Sequence, residues 1–417
     1  MSIPAGWKMG KLGEVAAIHM GQSPPSFTYN LERRGLPFLQ GKAEFGDVQP
    51  TPIKWCSAPQ RVAPKGSVLI SVRAPVGDVN IAPFECCIGR GLAALEPIDV
   101  DGEFLYFNLL MAKWRLEALG TGTTFKSINK AALKDFDLLL PPLLVQRAIA
   151  GVLSTLRRAI EATECVIEAT LDFRKSLRRY LLTYGPELIT RRDLVTTKAT
   201  AVGPVPDAWE VARLGDVVRA DGGLKRGPWG GSIRKDMFVP SGYKVYEQQC
   251  VINGDFSLGH YYVDEKKFAE LKDFAVEEGD ILITAAGTIG KVAQVPVGAA
   301  KGIFNQALIR VRLMRDRCIS DYFIPLFNDY TERGVLQQSS HGAVLKNLSS
   351  VALLRNIPVP LPTIKDQETI AEILSAVDEK TRVETSMRIA LLGLFEALLR
   401  DLMTGVLRTS AMINEND

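Results

Sequence analysis

The sequence predicts an internally duplicated α/β protein: two mixed α/β domains joined by two long helices, packed antiparallel as a coiled coil about an approximate two-fold axis. Three observations predict it. The opening "PAGWKMGKLGEV" from Pro4 returns as "PDAWEVARLGDV" from Pro206, with five of twelve positions identical. A Gly-bounded apolar motif recurs in the middle of each half. Each half then closes on a heptad pattern, and such ordered self-similarity marks a duplicated architecture.

The elements follow in chain order. After the opening Trp-Leu-Gly motif, read as a strand, comes a polar, Gly- and Pro-rich loop in each half. Next, "PKGSVLISVRAPVGDVNIAP" from Pro64 aligns with "EEGDILITAAGTIGKVAQVP" from Glu277, pairing Gly66 with Gly279 and Gly77 with Gly290. Short apolar runs bounded by glycine, Val68-Leu69-Ile70 and Ile281-Leu282-Ile283, read as strands. "CIGRGLAAL" from Cys87 faces "IFNQALIRV" from Ile303, and "GTTFKSINKAAL" from Gly122 faces "GAVLKNLSSVAL" from Gly342.

Closing motifs "LPPLLVQRAIAGVLS" from Leu140 and "LPTIKDQETIAEILS" from Leu361 lead into the helices. Apolar residues return in steps of four and three at Ile149, Leu153, Leu156, Ile160, Ile167, Leu177 and Leu181. The second copy does so at Ile370, Leu374, Val377, Leu391, Phe395, Leu398 and Leu402. A period near 3.5 predicts a coiled-coil seam, and Pro142 and Pro362 stand where a helix start tolerates proline. Polar residues, Thr163, Thr170 and Arg174 in one copy and Thr381, Glu384 and Arg388 in the other, are expected to weaken the middle of that seam. The basic pairs Arg157-Arg158, Arg174-Lys175 and Arg178-Arg179 read as a solvated helix face. The resulting division is a first domain over 1–142, a helix over 143–184, a connector over 185–203, a second domain over 204–363, a helix over 364–405 and a tail over 406–417.

Composition narrows the function. Hydrophobic residues make up 47% and charged residues 23%, so sizeable cores are expected; the net charge of +3 requires any basic surface to be local. With no signal-like start and no apolar run of membrane-spanning length, a cytoplasmic protein without membrane association is expected. Six cysteines form no C-x-x-C pair and three histidines are widely separated, so no metal site is expected. Vicinal Cys86-Cys87 read as buried small hydrophobes. Phosphate-loop, nucleophile-elbow, zinc-protease and amino-methyltransferase motifs are all missing, which points to a binding protein with no catalytic residues of its own.

The candidate ligand is double-stranded DNA, gripped by Lys and Arg at phosphates and read by polar groups at base edges. In "ADGGLKRGPWGGSIRKD" from Ala220, Lys225, Arg226, Arg234 and Lys235 surround Trp229. The corresponding loop of the first half, "HMGQSPPSFTYNLERRG", offers Gln22, Ser23, Tyr29, Asn30, Arg33 and Arg34. Arg73 and Arg90 in the Gly-rich turns, with Lys126 and Lys346 in the later repeat, are further candidates, as are Asn305 and Gln306, which stand opposite Gly89-Arg90. Each of these positions also reads as an ordinary solvated turn.

The ordered set "P-x-x-W-x-x-x-x-L-G-[DE]-V", "G-[SD]-[VI]-L-I-[ST]" and "L-P-x-x-x-x-Q-x-x-I-A-x-[VI]-L-S", twice over, resembles the DNA specificity subunit of type I restriction-modification systems, over nearly the whole chain. That resemblance implies two target-recognition domains, each reading one half of an asymmetric split site, and two helices that set the gap and dock partners. It also implies two DNA methyltransferase subunits that bind adenosylmethionine, and restriction and translocase subunits that use ATP and Mg, with no cofactor in this chain. The alternative is a duplicated coiled-coil adaptor that binds only protein. A self-sufficient DNA-modifying enzyme lacks its motif, and a sugar- or peptide-binding protein lacks a secretion signal.

Overall fold

The computed structural model describes residues 3–120, 126–187, 189–229, 231–338 and 351–407. The chain forms two compact units, Met1–Val166 with Glu384–Asp417, and Ile167–Val383. Both are built to one plan.

In the first unit, strands Ala16–Met20, Leu92–Pro97, Val68–Ser71 and Val79–Ile81 form an antiparallel sheet in that order. A second sheet orders Tyr29–Asn30, Lys54–Cys56, Leu36–Leu39, Cys86–Ile88 and Val62–Ala63, with one parallel pairing, Phe38 beside Cys87 and Leu39 beside Ile88. The second unit repeats this. Leu224–Arg226, Leu308–Val311, Ile281–Thr284 and Val292–Gln294 make one sheet, and Tyr262–Val263, Tyr243–Tyr246, Gly302–Phe304 and Ala275–Val276 the other. Its parallel pairing sets Val245 beside Ile303 and Tyr246 beside Phe304.

The repeated glycines have a conformational cause. Gly66 and Gly279 have φ of 86° and 81°, Gly77 and Gly290 of 90° and 81°, a region that side chains with a Cβ avoid. Beside them, Ser71 Oγ accepts from Asp78 N and Thr284 Oγ1 from Lys291 N, both at 2.9 Å. One turn has been kept in both halves.

The opening motif corrects the expectation of a strand. Strands Lys8–Lys11 and Glu210–Arg213 stop where Leu-Gly-acidic-Val forms a single helical turn, Leu12–Val15 and Leu214–Val217. The acidic side chain bends back onto the residue before the turn: Lys11 N donates to Glu14 Oε2 at 2.9 Å and Arg213 N to Asp216 Oδ2 at 3.2 Å. That capping favours a turn over continued strand.

Long helices span Leu143–Tyr184 and Ile364–Met403. In the first unit, Ile149, Leu153 and Ile160 are buried with Phe395 and Leu402, and Leu156, Leu391 and Leu398 pack beside them. In the second unit, Leu181 is buried with Ile370 and Leu374, and Leu177 packs against them. Low numbers on one helix meet high numbers on the other in each unit, so the packing is antiparallel. Ile167 and Val377 are half-buried. The polar middle is bridged by ion pairs, Arg388 to Glu164 at 2.6 Å in the first unit and Arg174 to Asp378 in the second. Partly exposed pairs of this kind contribute about 0.2–1 kcal/mol each, less than apolar burial would.

Two arginines depart from the solvated face predicted for them. Arg178 is 2% exposed, where Asp329 at 3.8 Å and Glu332 at 2.5 Å pair with it. Arg157 lies over the Phe395 ring at 5.4 Å. Acidic and aromatic partners from elsewhere in each unit draw these side chains inward, which helical spacing alone does not reveal.

Each long helix is stitched to its domain by the glutamine of the closing motif. Gln146 Oε1 accepts from Asp101 N and its Nε2 donates to Pro141 O, both at 2.9 Å. Gln367 repeats this with Ile319 N at 3.0 Å, Arg317 O at 2.8 Å and Pro362 O at 3.1 Å.

Candidate nucleic-acid interface

In the first unit, backbone hydrogen bonds join five segments into one set of loops. Gly21 N donates to Leu92 O and Gln22 N to Ile88 O; Gly91 N donates to Gln40 O; Val72 N donates to Gly91 O; Ile128 N donates to Val72 O. Arg73 also forms a bridge with Ser127. The join at Gly21 admits no side chain, since a Cβ there would stand 2.1 Å from the carbonyl oxygen of Gly89. Gln22, Arg73, Arg90 and Lys126 are exposed on this set, and Ser23 Oγ accepts from Arg90 N at 3.2 Å. Gln40, also exposed, belongs to the same set. Sequence reasoning missed it, and its only signal was a glutamine directly after a strand and before a glycine.

The other first-half candidates have different duties. Tyr29 stacks on Phe38 at 4.5 Å and donates to Pro24 O at 2.7 Å. Burial pushes its hydroxyl pKa up, while the nearby Arg90 charge works against that rise. Asn30 braces its own loop, donating to Arg34 O and accepting from Arg34 N, both at 2.9 Å. Arg33, at φ 60°, lies over Trp55 at 5.3 Å, and Arg34 pairs with Glu32 at 3.3 Å. Both arginines remain exposed.

Among the described residues, the second unit repeats part of this set. Gly227 N donates to Leu308 O, Asn305 N to Tyr246 O and Ala285 N to Ala307 O. Arg226 Nε reaches Gln306 O at 3.4 Å, and Asn305 Oδ1 accepts from Ala307 N at 3.0 Å. Gln306 is exposed, and Trp229 is 90% exposed. Lys225 is less available: it pairs with Asp273 at 2.8 Å and lies over Phe274 at 4.7 Å. Arg234 pairs with Asp236 at 3.4 Å, and Lys235 is exposed on the adjoining turn. Lys346 lies outside the described residues.

Ladder pairing shifts the alignment of the two loops. Gly21 and Gly227 donate to the equivalent carbonyls of Leu92 and Leu308, so His19 matches Lys225, Met20 matches Arg226, and Ser23 matches Trp229. The two halves therefore present unlike side chains from like backbone. One set is polar with scattered arginines; the other carries Arg226 and a protruding indole.

Among the described residues, no group of three His, Cys, Asp or Glu side chains could hold a metal ion, and no helix is long and apolar enough to cross a membrane. Burial pushes the Cys86, Cys87 and Cys318 thiols up to about 12, which leaves them protonated and poorly nucleophilic near neutral pH.

Comparison with known proteins adds a second line. The profile of the type I restriction modification DNA specificity domain matches twice, over residues 4–171 and 206–392. A putative type I restriction enzyme MjaX specificity subunit of Methanocaldococcus jannaschii is 45% identical over 185 residues, 43% of this chain and 44% of that protein, so the match spans less than half its length. The type I restriction enzyme MjaIX specificity subunit of the same organism is 22% identical over 98% of this chain and 95% of its own. The crystal structure of a type I restriction-modification system S subunit from M. genitalium shares the fold, with a TM-score of 0.60 at 16% identity over 96% of both chains.

Proposed function

Because this chain belongs to the type I restriction-modification DNA specificity family, we propose that each half reads one part of an asymmetric, two-part DNA site. The observation that carries this is the pair of equivalent loop sets bearing different side chains. Gln22, Arg73, Arg90 and Lys126 serve the first half, and Arg226, Trp229 and Gln306 the second. Equivalent backbone gives both halves the same approach to a groove, and unlike side chains give them unlike preferences.

In this reading the chain is not a catalyst. Methylation belongs to two methyltransferase subunits that bind adenosylmethionine, and cleavage to restriction and translocase subunits that use ATP and Mg. Exposed apolar residues on the long helices support the docking of partners: Leu144, Leu171 and Phe173 on one, and Val383, Met387 and Ile389 on the other. In the first unit, Gly151, Val152 and Leu156 with Leu394 and Leu398 line an open, largely apolar groove of about 660 Å³.

The test is methylation sequencing of a host without its own modification, expressing this chain with its methyltransferase, against the methyltransferase alone. A new motif of two unlike halves around a fixed gap is expected. A stable complex that methylates no such motif overturns the proposal.

A further inference from the structure

One charged side chain in the second unit is buried where the first unit has a methyl group. Arg310, in the strand Leu308–Val311, is 3% exposed. Counting from the equivalent carbonyls of Leu92 and Leu308, its counterpart is Ala94, which packs in an apolar cluster with Leu69, Ile88 and Leu92. Ala94 shows that packing at this position needs no charge. A buried guanidinium is costly unless its donors are used.

Arg310 directs its donors at backbone carbonyls of two other segments, one of them shared with Arg312 Nη2 at 3.3 Å. Nη2 donates to Gly222 O at 3.0 Å and Nη1 to Ala275 O at 2.5 Å, while the guanidinium lies over the Phe304 ring at 5.5 Å. Nε is buried without a hydrogen-bond partner among the described residues, so the two Nη nitrogens carry the hydrogen bonds described here. Each of these neighbours leads to a different part of the site. Gly222 opens the loop that carries Lys225, Arg226 and Trp229; Ala275 follows Asp273, the partner of Lys225; Phe304 precedes Asn305 and Gln306.

We propose that Arg310 is a positioning residue for DNA recognition by the second half, tying the loop at Gly222 to the strands that begin at Ala275 and end at Phe304, and so fixing a reading surface that the first half assembles without any such charge. It rests on the reading that these loops meet DNA. Loops free to move apart would still hold phosphates, but would lose the fixed geometry that base discrimination requires.

The test uses the full chain with its methyltransferase subunit and Arg310→Met, which keeps a long apolar stem and removes both donors. Duplexes carrying the wild-type motif are compared with duplexes bearing single base changes in either half, alongside a thermal melt. Discrimination is expected to fall about tenfold in one half of the motif and to change less than about twofold in the other, with affinity for motif-free DNA retained. Gly222→Ala attacks the same hydrogen bond from the loop side, because its Cβ would stand 3.2 Å from Arg310 Nη2 at a φ of 63°. It is expected to reproduce the selective loss, and it carries the test if Arg310→Met does not fold. Unchanged discrimination in a folded variant, or equal loss in both halves, overturns the proposal. A wild-type complex with no base discrimination at all overturns the DNA reading beneath it.

Discussion

Gln146 and Gln367 show what a single side chain contributes to this architecture. Each sits in the first turn of a long helix, at 4% and 0% exposure, and commits both ends of its amide to backbone groups. Replacing Gln367 with Leu leaves Ile319 N and the carbonyls of Arg317 and Pro362 without this partner in a buried place. Buried groups stripped of a partner cost about 1–3 kcal/mol each, so we expect a loss of about 3 kcal/mol overall, seen as a lower urea midpoint. A midpoint equal to wild type would show that the amide only fills space. Asp78 illustrates a different balance. Burial works to raise its pKa, but Lys113 at 2.6 Å and Lys42 at 2.7 Å more than offset this and hold its carboxyl below the usual range, tying the repeated glycine turn to two other segments.

At the scale of elements, the candidate interface loops divide into residues that brace and residues that face outward. Tyr29 and Asn30 direct their polar groups into their own loop, whereas Arg226 lies beside the exposed Gln306 and Trp229 protrudes into solvent. Substituting Lys225 and Arg226 together with Ala is expected to weaken binding at every DNA sequence. It should also flatten the logarithmic salt slope by about one for each phosphate that is no longer neutralised. Lys225 has to release Asp273 to reach a phosphate. An unchanged slope in a filter-binding titration would clear this loop of any phosphate role.

For the whole molecule, duplication explains both the equivalence of the two units and the length of the helices. Each long helix contributes residues to both apolar cores, Ile149 and Leu153 to one and Leu181 to the other, for example. Four residues inserted near Thr183 are therefore expected to change the gap between the two parts of the methylated motif and leave their base sequences alone. Methylation sequencing of the insertion variant checks this. Altered half-sites around an unaltered gap would show that something other than helix length sets the spacing.

Much of this was legible in the sequence because it depends on short-range chemistry. Glycine-bounded turns, a repeated opening motif and a heptad seam all leave marks within a few residues of where they act, although the opening motif reads as a strand and folds into a single capped turn. The duplication and the two long helices could be read from those marks, as could the protein's kinship. Partnership across distance could not. Arg178 reads as a solvated charge until Asp329 and Glu332 arrive from another helix, and nothing near Arg310 in the sequence marks it as buried against the carbonyls of Gly222 and Ala275. Equivalence of the two candidate loops was likewise decided by the ladder, where Gly21 and Gly227 meet matching carbonyls and so place Trp229 opposite Ser23. The sequence by itself determined the repeated framework, since turns, caps and helical periodicity are properties of neighbouring residues. Only the tertiary structure decided which charges are buried and which side chains face outward together, because desolvation and hydrogen bonding are settled by residues distant in the chain.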